Sequence, residues 1–114
     1  MRTVEYAVPA AIDIDEILAA SEAEFGPLTA ERYEKLIARA IDALASNPGR
    51  IGVRQNPDTP TDVRWFHLRA VRTVAPPGER IGRPRHLIVF TFNDTRLFIV
   101  RVLHDSMDIP ARIG

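Results

Sequence analysis

The chain contains no cysteine, one lysine, one tryptophan and three histidines in 114 residues. Without cysteine there is no disulfide framework and no thiolate zinc site, so nothing calls for an oxidising compartment. The histidines, His67, His86 and His104, are scattered and follow no metal-ligand spacing. Neither a metal nor a cofactor is expected, and carboxylate ligands alone stay open. No basic stretch followed by an apolar run opens the chain, and no segment approaches the roughly 18 apolar residues of a membrane span. The expectation is a soluble cytoplasmic protein with a single domain over residues 1–114. Its 46% hydrophobic content argues against a disordered chain.

The formal charge of zero hides an asymmetry. Residues 1–47 carry four bases against nine acids, a net of −5, and residues 48–114 carry eleven against six, a net of +5. Fourteen of the fifteen basic residues are arginine. Codon usage in a GC-rich genome gives such a bias. So does a basic face that meets an anion-rich partner, since the guanidinium fork grips phosphate and carboxylate alike.

Val4, Tyr6 and Val8 alternate with polar or small residues, which predicts a first strand over Arg2 to Val8, ended by Pro9. Asp13 and Glu16 have the spacing of a capping box. Ile14, Ile17, Leu18, Ser21 and Phe25 then fall on one helical stripe, closed by Gly26-Pro27. Thr29 is a candidate N-cap for a second helix. That helix has the clearest period in the chain, with Tyr33, Leu36, Ile37, Ala40, Ile41 and Leu44 on one face and Glu31–Lys35 as an i, i+4 pair. So short a connection makes an antiparallel hairpin. Residues 50–62 and 75–84 read as loops rich in breakers. Between them, Val63 to Val74 is predicted as a strand whose parity switches at Trp65-Phe66, the mark of a bulge or of an exposed edge tryptophan open to a second copy. His86 to Phe92 is a further strand, and Asn93-Asp94-Thr95 is a tight turn. From Leu97 to Leu103 only Arg101 is polar, which predicts a strand buried on both faces. The layout is α+β: an N-terminal strand, an antiparallel helix hairpin, then a three-stranded antiparallel meander, forming one mostly antiparallel sheet.

The last strand ends in Arg101-Val102-Leu103-His104-Asp105-Ser106-Met107-Asp108, a polar cluster where a rigid element reaches the surface. This stretch resembles the C-terminal signature of ParE toxins in the RelE/ParE superfamily. Phe25-Gly26, Arg32-Tyr33, the run Leu44 to Gly49, and Arg85-His86-Leu87-Ile88-Val89-Phe90 resemble other marks of that family in the same order. The resemblance spans essentially the whole chain, which is somewhat longer than a usual ParE toxin through its two loops.

The resemblance implies the toxin of a type II toxin–antitoxin pair, neutralised by a cognate antitoxin and directed at DNA gyrase. The expected surface for target or antitoxin comprises Arg85, His86, Arg101, His104, Asp105, Met107, Asp108 and Trp65. No direct nucleic-acid contact is expected in that case. The RelE branch instead implies a ribosome-dependent mRNA endonuclease, which needs a base, cations and an acid around the scissile phosphate. Here those roles would fall to His104, His86, Arg85 and Arg101, because no lysine or tyrosine lies after Lys35. A third reading is an interaction domain without toxicity. The structural roles to weigh against these are a hydrogen bond from His104 to Asp105 or Asp108, an ion pair from Arg101 to Asp108 or a helix acid, and a solvated face for His67 and Arg69.

Overall fold

The computed structural model describes residues 1–113. Strand β1 (Thr3–Tyr6) leads into helix α1 (Val8–Phe25) and helix α2 (Pro27–Ser46). After a long loop come β2 (Arg64–His67), a 3-10 segment (Leu68–Val74), a short 3-10 turn (Pro77–Glu79), β3 (His86–Phe92), β4 (Arg96–His104) and a short helix α3 (Ile109–Ile113). The sheet order is β1-β4-β3-β2; β2, β3 and β4 form the expected antiparallel meander, and β1 pairs parallel with β4. The class is α+β, as the pattern of strands and helices predicts. Among the described residues no helix is long and apolar enough to cross a membrane.

The hairpin is tighter than the sequence suggests. Gly26 is at once the C-cap of α1 and the N-cap of α2, with φ of 92°, a region that glycine alone enters without strain. Pro27 follows in the first turn of α2, where a missing N–H costs nothing. Thr29 is therefore inside α2 and is not its cap. Every residue of the predicted α2 stripe is buried, joined by Ala45. These side chains pack with Phe66, Ile88, Phe90, Leu97, Ile99 and Val102 on one sheet face. Burying each large apolar side chain stabilises by about 1.5–3 kcal/mol, so this layer dominates the fold. The other sheet face is covered in part by α3, through Ile109 and Ile113, in a smaller cluster with Trp65, Leu87, Val89 and Leu103.

Several local expectations are overturned. The strand predicted over Val63 to Val74 lasts only to His67; Leu68 and Val71 then turn inward at the threefold spacing of a 3-10 segment. The His67 ring accepts from the Arg69 N–H at 3.1 Å and starts that turn. The bulge is not at Trp65-Phe66. Phe90 pairs with Ile99 but Val89 with Arg101, leaving Val100 as the extra residue of β4. Trp65 is half-buried, and Arg54 satisfies both of its outer backbone groups at 2.9 Å. The edge expected to be open there is closed.

The capping-box reading of Asp13 also fails. Helix α1 begins five residues earlier, at Val8, with Pro9 in its first turn. Asp13 lies in the second turn, is nearly buried, and faces the sheet. Strand β1 pairs with β4 only as far as Ile99. Beyond that point β4 has no strand on its β1 side, and the Asp13 carboxylate takes that place. It accepts the Val102 N–H at 3.0 Å and the Arg101 guanidinium at 2.7 and 2.8 Å. Arg101 also reaches the Arg112 carbonyl of α3 at 3.1 Å.

Removing this carboxylate strands both a guanidinium and a backbone donor. Asp13→Ala is expected to destabilise the fold by about 2–4 kcal/mol. The double variant Asp13→Leu with Arg101→Met should recover at least half of that loss, because no charge is then left unpaired. Urea denaturation of the three proteins checks this, and a loss below about 1 kcal/mol for Asp13→Ala would refute it.

Candidate functional site

At the end of the sheet where β3 begins and β4 ends lies a groove of about 880 Å³. One wall is α1, with Asp13, Glu16, Ile17 and Glu24; the other is the 80–85 loop with the ends of β3 and β4. Five residues expected in the site line it: Arg85, His86, Arg101, His104 and Met107. Trp65, Asp105 and Asp108 do not. They line a smaller hollow of about 500 Å³, which Arg85 and Met107 also border. Phe25, expected in the core stripe of α1, is instead 64% exposed and borders the groove at the hairpin tip.

The three histidines gather at this corner, and each has its Nδ1 occupied. The Tyr33 hydroxyl accepts from the Arg85 N–H at 3.3 Å and lies 2.6 Å from His86 Nδ1. The hydroxyl has a second lone pair as well as its own proton, so it bonds His86 Nδ1 whichever of the two atoms carries the hydrogen. His104 Nδ1 accepts from the Ser106 N–H at 3.1 Å, with the Ser106 hydroxyl at 2.7 Å. Its partner is thus Ser106 rather than the expected Asp105 or Asp108. Asp105 Oδ1 is 3.6 Å from the same nitrogen, but two acceptors do not bond. His67 Nδ1 accepts from Arg69, so its Nε2 donates to Asp105 Oδ2 at 3.0 Å. Contrary to the solvated face expected for it, His67 is buried at 4% exposure. These tautomers are assigned from the hydrogen-bond network.

Arg85 is equally engaged, as Arg101 is with Asp13. Arg85 grips Asp105 with Nε and Nη2 at 3.0–3.3 Å, while the Asp105 N–H donates to the Arg85 carbonyl at 2.8 Å. Hydrogen bonding from Arg85, with a smaller share from His67, holds the Asp105 carboxyl down at a pKa of about 2. Burial lowers His86 to about 4, and the facing His104, ring to ring at 5.4 Å, adds to the shift. Burial raises the Tyr33 hydroxyl. The 75–84 loop is tied down as well, by Arg80 to the carbonyls of Ala75 and Thr73 and by Arg72 to that of Ile81.

Sequence reasoning missed three contributors: Tyr33, read as core; Asp13, read as a cap; and His67, read as solvated. Their partners lie 53, 88 and 38 residues away in the chain. Only Asp13 left a trace, as a lone acid on the apolar side of α1 between Ala10 and Ile17.

A family model described as the ParE toxin of the type II toxin–antitoxin system parDE matches residues 4–109. A chain of the chromosomal ParDE system of P. aeruginosa is similar in structure, with a TM-score of 0.67 at 17% identity, over 91% of this chain and 96% of that one. A chain of the E. coli DinJ-YafQ toxin–antitoxin complex is similar with a TM-score of 0.58 at 11% identity, over 92% and 93%. YafQ from E. coli strain BL21(DE3) gives 0.52 at 13% identity, with both chains fully covered. At these identities the likeness concerns the fold. No curated protein matches the sequence.

The His86 environment has a pH consequence. Its pKa lies near 4 in the fold against 6.5 when unfolded, so between those values the unfolded chain binds the extra proton and stability falls as pH drops. With solvent screening of a partly exposed ring taken into account, the loss from 6.5 to 4 is roughly 1–2 kcal/mol. Denaturant titrations across that window should show this slope in the wild type and most of it removed in His86→Gln. Parallel curves for the two proteins would contradict the assignment.

Proposed function

The chain belongs to the ParE toxin family of type II toxin–antitoxin systems, and from that premise we propose that it acts by binding DNA gyrase rather than by cutting RNA. A cognate antitoxin holds it inactive. One observation carries this reading: the histidines and arginines expected to cut RNA are engaged within the chain. A ribonuclease needs an imidazole lone pair turned to the substrate and cations free to meet the phosphate. Here the Nδ1 atoms of His67 and His104 accept from the backbone N–H groups of Arg69 and Ser106, and His86 Nδ1 is bonded to the Tyr33 hydroxyl. The two expected phosphate clamps, Arg85 and Arg101, are neutralised by Asp105 and Asp13. What stays available is a binding surface.

In this reading the groove is the contact surface for target or antitoxin. Its apolar floor, with Ile17, Phe25 and Met107, is rimmed by Arg32, Arg83 and Arg112, none of them ion-paired among the described residues. Arg85, His86 and His104 contribute surface, and Arg101 contributes order through Asp13. Trp65, Asp105 and Asp108 flank from the smaller hollow. Apolar floor and charged rim are the anatomy of a protein interface. The ParDE and DinJ-YafQ neighbours come from toxin–antitoxin systems, which supports an antitoxin partner for this chain.

Purified protein added to gyrase, supercoiled plasmid and ATP should produce linear plasmid, and added antitoxin should abolish it. Met107→Asp and Arg83→Glu should weaken the effect at least about tenfold, while His104→Ala changes it less than about threefold. Cleaved mRNA on translating ribosomes with intact plasmid would overturn the proposal, the more so if His104→Ala abolished cleavage. Silence in both assays would also overturn it.

A further inference from the structure

The opposite end of the sheet carries a second set of arginines that the groove does not use. Arg2 precedes β1 and Arg64 opens β2, so they come from the two edge strands. Both converge on the ring of Phe92, their Cζ atoms 5.4 and 5.7 Å from its centre. Arg50, just past the end of α2, lies 5.6 Å over Phe66, which shares its sheet face with Arg64. Among the described residues, none of the three is ion-paired. Arg2 gives its Nε to the Asn93 carbonyl at 2.6 Å, and the Nε atoms of Arg50 and Arg64 are buried without a partner. Each guanidinium thus lies beside an aromatic ring, and none meets a carboxylate among the described residues.

Contact with a ring restricts a guanidinium, which lowers the entropy lost when a carboxylate or phosphate is gripped. Beside Arg50, Ile51 is 97% exposed, a large apolar side chain with no intramolecular role. Two considerations select the kind of partner. Three guanidinium groups are few for a nucleic acid, where duplex-binding proteins neutralise about 6–10 phosphates, and the sequence pI is near 6.8 with no net charge. A nucleic-acid-binding domain is usually strongly basic. An exposed isoleucine among the arginines suits a polypeptide instead.

We propose that this end of the sheet is a second docking surface, which binds an acidic, partly apolar segment of a partner protein. Carboxylates meet Arg2, Arg50 and Arg64, and an apolar side chain packs on Ile51. The surface lies at the far end of β4 from the groove, so a partner bound here leaves the groove accessible. The proposal does not depend on gyrase being the target.

The probe is a fluorescent peptide in which pairs of glutamates alternate with single leucines, followed by anisotropy with the full chain. A glutamine version and a single-stranded oligonucleotide are the controls. The acidic peptide should bind saturably, weaken severalfold with added salt, and outcompete both controls. Ile51→Asp changes a fully exposed side chain and leaves folding intact, and it should weaken binding at least about fivefold by repelling the peptide. Arg2→Gln with Arg64→Gln should do the same, whereas Arg83→Glu in the groove should not. The proposal is overturned by absence of binding, by an oligonucleotide that displaces the peptide, or by loss in Arg83→Glu with none in Ile51→Asp.

Discussion

A single carboxylate substitutes for the missing length of a strand. Strand β1 is four residues long and leaves β4 at Ile99, while β4 continues to His104. The freed edge of an interior strand would expose backbone donors to solvent or to another chain. Asp13 prevents this at Val102, and it can do so because α1 starts at once after β1 and passes over the gap. The same carboxylate fixes Arg101, which in turn ties α3 through the Arg112 carbonyl. The two walls of the groove are therefore set by one ion pair whose members lie 88 residues apart.

That economy extends through the C-terminal corner. Charged and titratable groups stand close together there, as an active site would require, yet Asp105, Arg85, Arg101 and the three histidines each have a partner from the same chain. Asp105 joins Arg85 at the start of β3 to His67 at the end of β2, while Tyr33 links α2 to β3 through His86. The network closes one end of the sheet around a fixed outline. Stiffness of outline serves recognition, since a surface that does not reorganise loses little entropy when a partner docks.

The elements legible in the sequence are those set by local period and local turn chemistry. The α2 stripe, the β3 and β4 runs, the turn in which Asn93 Oδ1 accepts the N–H groups of Thr95 and Arg96, and the overall α+β layout needed no distant partner. What escaped was decided across the fold. Asp13 has good capping chemistry, but β4 offered it a stronger use. Val63 to Val74 has strand composition throughout, yet β3 pairs with only four of its residues and the His67 ring turns the chain. Arg85, His86, Arg101 and His104 line one groove, and Arg101 pairs with a helix acid as expected, but which acid it meets and the partners of the histidines are not readable from spacing.

The joint between α1 and α2 shapes how this chain can vary. Gly26 alone connects two helices of 18 and 20 residues, so no slack exists to absorb a change in winding. One residue inserted within α1 would turn everything after it by about 100° about the helix axis. Asp13 and the α2 stripe could then no longer both face the sheet. Length change is thereby confined to the stretches after α2 and before β3, where an added residue shifts no helical phase. The hairpin acts as a gauge of fixed length, and the loops become the parts free to differ.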